Sequence, residues 1–289
     1  MATPSSSNGQ DNRLTSVGIY MVATNEYLEL WKSTAKSIES KAFLSSDELV
    51  IYLFTNRSAD AVEWAKGNLK RVKLITSEIG AWGWPEATLL RYEFINEFQK
   101  YIKADFLMYL DSDMEIYRDF SERLQAVLGN SSIAVVQHPG FARPRGFLYA
   151  IEIIKNPRLV RPLIKKIKSR SKGLGSWEEN QFSSAYVEPQ KRIRYVHGAI
   201  WFGWNEDFLK MCEILSMRVR DDLDRNHIAV WHDESHLNWY ASNYPVKILD
   251  NRFSGFQKYK HLKYWPAYVG TIEKEPNQGR RPTDQGDFD

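Results

Sequence analysis

Apolar residues fall along this chain in short solid runs separated by stretches of helical spacing. Val17-Gly18-Ile19-Tyr20-Met21-Val22-Ala23 is one such run and predicts a buried strand. Leu28, Trp31, Ala35 and Ile38 follow on one face of a helix. Leu49 to Phe54 predicts a second buried strand, stopped by Thr55-Asn56, then a helix over Ala61 to Asn68 and a third strand over Val72 to Ile75. Thr88 to Ile102 reads as a helix, with Trp84-Pro85 as its start signal, and Phe106 to Leu110 as a fourth buried strand. Strands alternating with helices predict an α/β fold with a mostly parallel sheet covered on both faces.

The second half is less regular. Ile133 to Gln137 and Ile193 to Val196 read as strands, and Asp207 to Arg220 and Ala229 to Tyr240 as helix-bearing segments. Polar ends set the expected limits: a disordered lead-in over 1–16, one domain over 17–270 and a flexible tail over 271–289. Pro157 to Lys172 carries Arg158, Arg161, Lys165, Lys166, Lys168, Arg170 and Lys172 with no acid, and Leu159, Leu163, Ile164 and Ile167 at helical spacing. It is either an amphipathic helix on an anionic membrane surface or the solvated face of a packed helix.

Composition narrows the partners more than the fold. Lys plus Arg number 39 against 36 Asp plus Glu, a balance that does not call for nucleic acid. No run of 18 apolar residues predicts a membrane span, and residues 1–15 lack the apolar segment of a signal peptide. Cys212 is the one cysteine, so no intramolecular disulfide forms. The 10 Trp and 15 Tyr supply flat rings that suit sugars or bases, although most aromatics fill cores.

Two clusters carry candidate chemistry. Asp111-Ser112-Asp113 follows an apolar strand directly. In an extended segment residues i and i+2 face one side, so both carboxylates could meet one Mg²⁺ or Mn²⁺ ion and leave positions for water and phosphates. Strand ends of open parallel sheets are where ligands bind. The alternatives are a pair of turn acids, or an aspartyl-phosphate hydrolase, which wants Thr or Val where Glu115 stands and an earlier motif. The second cluster is Trp231-His232-Asp233-Glu234-Ser235-His236. His232 and His236 share a helix face, but a zinc protease needs Glu directly after the first His, where Asp233 sits. The cluster is then a substrate-facing carboxylate with orienting neighbours, or a polar helix start capped by Asp233 or Ser235.

Val230 to Asn238 followed by Tyr240 resembles the signature of glycosyltransferase family 6, which includes the histo-blood-group A and B transferases and α1,3-galactosyltransferases. Four other blocks occur in the same order. Trp82-Gly83-Trp84-Pro85 with Thr88, Leu89 and Arg91 is similar to bacterial members, and Asp111 to Glu115 to the metal motif of animal members. His138-Pro139-Gly140-Phe141 follows, then Ser183, Ala185 and Tyr186 with Tyr195 to Gly203. The resemblance spans roughly residues 17–267.

That resemblance implies a single GT-A domain of Rossmann-like type and a retaining, UDP-sugar-dependent α1,3-glycosyltransferase. Asp111 and Asp113 would hold Mn²⁺ (or Mg²⁺) against the UDP diphosphate, with Ser112 and Asp233 also on the donor side. Val22, Ala23, Thr24 and Tyr27 fall at the uridine; Tyr27 either stacks on the uracil or packs on the first helix. Arg91 falls near the donor phosphates, its alternative being an exposed helix arginine. Glu234 faces the anomeric carbon, as nucleophile or as electrostatic support. His138, Ser176, Trp231 and Glu234 fall at the acceptor, an oligosaccharide or glycolipid. His197-Gly198-Ala199 lines the pocket for the donor's 2-substituent. His197 with Ala199 favours UDP-galactose over UDP-GalNAc, though one methyl discriminates by only about 1–3 kcal/mol.

Three departures put acceptor identity in question. Residues 148–172 resemble an insertion, two family arginines are replaced by Glu179 and Asn180, and an expected Asp near 253–257 is absent. A chain without the animal members' anchor and stem is expected in a cytoplasm, touching membrane at most peripherally through 157–172. A sugar-binding module on a decayed transferase fold is the contrasting expectation, and intact Asp111, Asp113, Arg91 and Glu234 speak against it.

Overall fold

The apolar runs of the first half lie side by side as parallel strands in this computed structural model, which describes residues 14–141, 175–255 and 267–272 with the isolated positions Ile154, Pro157 and Val160. β1 (Ser16–Val22) pairs in parallel with β2 (Glu48–Thr55) and β4 (Phe106–Leu110), and β2 with β3 (Lys73–Glu78). β7 (Val196–Trp204) runs antiparallel between β4 and β6 (Ile133–Gln137), and β8 (Lys247–Leu249) is parallel to β6. The sheet order is β3-β2-β1-β4-β7-β6-β8, so only β7 opposes its neighbours. The α/β class, the mostly parallel sheet and the GT-A-like arrangement are as the sequence led one to expect.

Strand alternation divides the core. Val17, Ile19 and Met21 point to one face with Leu28, Trp31, Ala35 and Ile38 of α1 (Tyr27–Lys41). Tyr20, Tyr52, Tyr109 and Trp201 point to the other, under α4 (Arg91–Phe98), α6 (Asn205–Asp224) and α7 (His232–Asn243). Tyr109 and Trp201 stack at 4.9 Å, and Trp201 on Phe208 at 4.8 Å. Solid apolar runs follow from burial on both faces. α2 (Ser58–Asn68) and α5 (Ser121–Leu128) complete the cover. A second, two-stranded sheet pairs β5 (Met114–Ile116) with β9 (Val269–Thr271).

Several boundaries differ from expectation. The strand expected over Ile193 to Val196 begins only at Val196 and continues to Trp204; Ile193 is 44% exposed and has no sheet neighbour to pack on. The single helix expected over Thr88 to Ile102 is α3 (Glu86–Leu89), a break at Leu90, α4, and a 3₁₀ turn over Gln99–Tyr101. α7 starts at His232, not near Ala229, because residues 230–231 form a turn. Within the expected lead-in of 1–16, Leu14 is already buried and Ser16 opens β1, and β9 runs to Thr271; residues 1–13, the tail beyond 272, the basic stretch and the insertion at 148–172 lie outside the described residues, the three isolated positions apart. No described helix is long and apolar enough to cross a membrane.

Candidate active site

Strand direction decides which residues can meet. β1 and β4 are parallel, so Val22, Ala23 and Thr24 leave the sheet on the same edge as Asp111. Antiparallel β7 begins there, bringing in His197, Gly198 and Ala199, and the Asp111 N–H donates to the Ala199 carbonyl at 2.9 Å. The Asp111-Ser112-Asp113 segment is a turn and not the extended segment expected: the Met114 N–H returns to the Asp111 carbonyl, and Ser112 is buried with its carbonyl held by Thr34 at 2.7 Å. Asp111 and Asp113 both keep part of their surface open. Their chemistry fits the implied ion: two carboxylates supply oxygen donors for a hard divalent cation, with room for other ligands.

Arg91 organises this edge. Its side chain is 3% exposed, which corrects the exposed-arginine alternative. Nη1 lies 3.1 Å from Asp111 Oδ1 and 3.3 Å from Asp233 Oδ2, and it donates to the Gly198 carbonyl at 3.1 Å; Nε donates to the Thr88 carbonyl at 2.9 Å. The guanidinium also lies over the Tyr109 ring at 4.5 Å, while the Tyr109 hydroxyl donates to Asp111 Oδ1 at 2.9 Å. Burial disfavours the charge, but Asp233, Tyr109 and Asp111 more than compensate and hold Arg91 protonated.

Gly198 links this group to Glu234, because its N–H donates to Glu234 Oε2 at 2.8 Å. A Cβ at Gly198 would sit 3.0 Å from Glu234 Cβ and 3.1 Å from Asp233 Oδ2, so a side chain there would have to push these neighbours back by a few tenths of an ångström. The clasp is completed by Asn238, one turn beyond Glu234. It takes the Val196 N–H at 2.8 Å, returns a bond to the Val196 carbonyl at 2.9 Å, and bonds the Glu234 carbonyl at 2.8 Å. Burial, then the nearby Asp233 and Asp111 charges, push the Glu234 carboxyl up to about 8 against the opposing Gly198 and Tyr195 contacts. The Tyr195 hydroxyl faces this carboxyl but falls outside hydrogen-bond geometry.

His138, His197 and Glu234 bring ligand atoms within 4.8 Å of one another, a set that could hold a metal. Second-sphere bonds argue otherwise. The Gly140 N–H donates to His138 Nδ1 at 3.0 Å, which assigns the proton to Nε2 and makes that nitrogen a donor rather than a metal ligand. His197 Nδ1 is 2.6 Å from Ser254 Oγ, and the two imidazoles meet edge to face at 4.7 Å.

The other expected positions surround this core. Thr24 Oγ1 donates to the Trp82 carbonyl at 2.7 Å, tying β1 to the Trp82–Pro85 loop; Ala23 is fully buried and Val22 half-buried. Tyr27 opens α1 and packs on the first core. Ala199 is buried with that same core. Ser176 is half-buried beside Trp177, which meets Tyr195 edge-on at 5.2 Å. Neither Asp233 nor Ser235 is the N-cap of α7; that position is Trp231, whose N–H donates to Ser235 Oγ at 3.0 Å. His232 starts the helix at a φ of 46°, a left-handed strain typical of functional sites, with its ring against Trp84 at 4.5 Å. His236 is fully buried and His232 half-exposed, and among the described residues the two do not fall in any group of three or more metal-ligating side chains. Sequence reasoning missed Tyr92, whose hydroxyl holds the Asp233 carbonyl at 3.0 Å, and also Tyr109, Asn238 and Ser254. The spacing of four from Glu234 could have found Asn238; Ser254 carries no local signal.

The chain is similar to known proteins. Residues 164–266 match the model of glycosyltransferase family 6. The histo-blood group ABO system transferase 2 of Rattus norvegicus is 26% identical over 263 residues, 89% of this chain and 67% of that protein. The O-antigen biosynthesis glycosyltransferase WbnI of Escherichia coli is 25% identical over 90% of this chain and 96% of its own length. The globoside alpha-1,3-N-acetylgalactosaminyltransferase 1 of Homo sapiens is 24% identical over 82% of this chain and 60% of its own. The chain thus spans about two thirds of the length of these animal relatives and nearly all of the bacterial one. With the ordered motif blocks and the sheet topology, these matches bear out the resemblance to glycosyltransferase family 6 and support a glycosyltransferase as the class of this chain.

Proposed function

We propose that this protein is a retaining α1,3-glycosyltransferase that moves galactose from UDP-galactose to a hydroxyl of an oligosaccharide or glycolipid acceptor. One observation carries the reading. Gly198 accepts from Arg91 through its carbonyl and donates to Glu234 through its N–H, so one residue of β7 links the donor-side charges Asp111 and Asp233 to the Glu234 carboxyl. Arg91, held by both acids, then lies near the donor diphosphate, and Glu234 faces the anomeric carbon. Asp111 and Asp113 would hold Mn²⁺ or Mg²⁺, which when bound supplies charge neutralisation for the departing diphosphate.

The chain's own groups divide the remaining work. Val22, Ala23, Thr24 and Tyr27 position the uridine at the end of β1. Trp231, Ser176 and His138, with its Nε2–H, orient the acceptor so that its hydroxyl oxygen reaches C1 from the face UDP leaves. Once ionised, Glu234 either forms and releases a glycosyl-enzyme or stabilises an oxocarbenium-like state. His197-Gly198-Ala199 favours a 2-hydroxyl on the donor. The related human protein is named for N-acetylgalactosamine, so UDP-GalNAc is the competing donor in the test. A donor-by-acceptor screen with linkage analysis reads the reaction, with UDP release expected to be greatest for UDP-galactose. Glu234→Gln should lower turnover by about 10²–10⁴-fold, the range for loss of a group acting on the reacting centre, while UDP affinity holds. Tight UDP binding without turnover against any acceptor would reduce the protein to a binding module.

A further inference from the structure

An irregular segment borders the acceptor side. Residues 175–188 contain neither helix nor strand, yet Trp177, Glu178, Ser183, Ser184, Ala185 and Val187 are buried. Buried backbone without a ladder needs other partners. Two carboxylates supply them. Glu178 accepts the Asn180 N–H and reaches across to the Val230 N–H, both at 2.8 Å, which fixes the residue next to Trp231. Asp222, on α6 and 1% exposed, accepts the Ser183 hydroxyl and the Ser184 N–H, both at 2.6 Å. Neither carboxylate touches the Arg91 group in the contacts described above.

Asp222 sits at a joint. His236, on the helix that carries Glu234, has Nε2 3.5 Å from Asp222 Oδ2. Arg225 Nη1 is 3.9 Å from Oδ1 and also donates to the Phe182 carbonyl at 2.9 Å. Arg218 donates to the Ser184 carbonyl and lies over the Trp239 ring. The segment held this way continues through Trp177 and Val187 to Tyr195, which faces Glu234. We infer that Asp222 is a positioning residue: through Ser183 and Ser184 it sets the acceptor-facing segment 176–187 against the helix bearing Glu234, without touching donor or acceptor. This rests on the glycosyltransferase reading above.

The consequence is a split between two activities. Donor binding and donor hydrolysis depend on the Arg91 group and on Glu234, neither of which is among the Asp222 contacts, and should be spared. Transfer needs Ser176, Trp231 and their neighbours in register and should fail. In Asp222→Asn, UDP release from UDP-galactose into water should stay within about twofold of wild type, with KM for the donor unchanged. Transfer to lactose, the acceptor probe, should fall about tenfold or more, the scale set by loss of one charge-assisted bond. Amide exchange across 176–187 should rise at least about tenfold, while β1 to β4 stay protected. Ser183→Ala keeps the buried charge and tests the same link if Asp222→Asn folds poorly: the same split at about threefold, restored by Ser183→Thr. Unchanged exchange across 176–187, or hydrolysis falling in step with transfer, overturns the inference. If wild type releases no UDP from either assay, the glycosyltransferase reading fails instead, and the exchange measurement still decides whether Asp222 holds the segment.

Discussion

Arg91 shows how much a single residue's meaning depends on burial. An arginine on an amphipathic stretch is ordinarily a solvated one, and only packing under the sheet edge makes it the partner of two acids. Removing it by Arg91→Met leaves Asp111 and Asp233 uncompensated in a largely buried place. Loss of one partner from a buried pair costs about 3–5 kcal/mol, and the lower end applies because Asp111 stays 30% exposed. Urea denaturation at neutral pH reads this, and a loss below about 1 kcal/mol would show that the group is not held by Arg91. His236 gives a residue-scale prediction of opposite chemistry. Burial pushes its pKa down to about 4, against the raising effect of Asp222. The unfolded chain takes up this proton near pH 6.5 and the folded chain resists until about 4, so the folded state loses stability as pH falls through that window. The full effect approaches roughly 3 kcal/mol for a group this buried. In His236→Gln the corresponding part of the slope between pH 6.5 and 4 should vanish, and an unaltered slope would show that other groups carry it. Arg91, Asp111 and Glu234 were legible as motif positions, whereas the burial that gives them their chemistry was not, because it comes from partners far along the chain.

At the scale of elements, the approach of β7 to the start of α7 sets the distance between the donor charges and Glu234. Gly198→Ala tests it directly. The added methyl meets Glu234 Cβ at 3.0 Å and Asp233 Oδ2 at 3.1 Å, so the helix start must move by a few tenths of an ångström. Small displacements of reacting groups can cost about 10²-fold in rate, and overpacking about 1–3 kcal/mol in stability. Turnover should therefore fall further than UDP affinity; normal turnover in the Gly198→Ala enzyme would show that the distance has slack. The elements themselves were legible where burial imposed a solid pattern. β4 and β6 match their apolar runs, and α1 matches its stripe of Leu28, Trp31, Ala35 and Ile38. β7 was misplaced because its exposed approach at Ile193 and its glycine-interrupted interior obscure the run. β5, β8 and β9 are three residues each, too short for any periodicity, and β9 pairs with a strand far upstream. The turn at Asp111-Ser112-Asp113 was misread for a related reason: Thr34, distant in sequence, holds the Ser112 carbonyl inward.

For the whole molecule, the proposed chemistry ties stability to two ligands at once. The sheet edge gathers β1, β4, β7 and α7, so a nucleotide bound there bridges elements from both halves of the chain. A ligand that binds only the folded state stabilises it by about 2.7 kcal/mol at a hundredfold excess over its Kd. For a domain of this size that corresponds to roughly 5–10 °C in Tm. UDP with Mn²⁺ should produce a shift of this order, because Asp111 and Asp113 alone face the diphosphate with negative charge and Arg91 is already engaged by two acids. UDP with EDTA should then give a much smaller shift, as phosphate would meet the two carboxylates unscreened. Asp113→Asn should remove most of the metal-dependent part of the shift. An equal shift with Mn²⁺ and with EDTA would place the diphosphate against Arg91 alone and assign the two carboxylates to the turn, not to an ion.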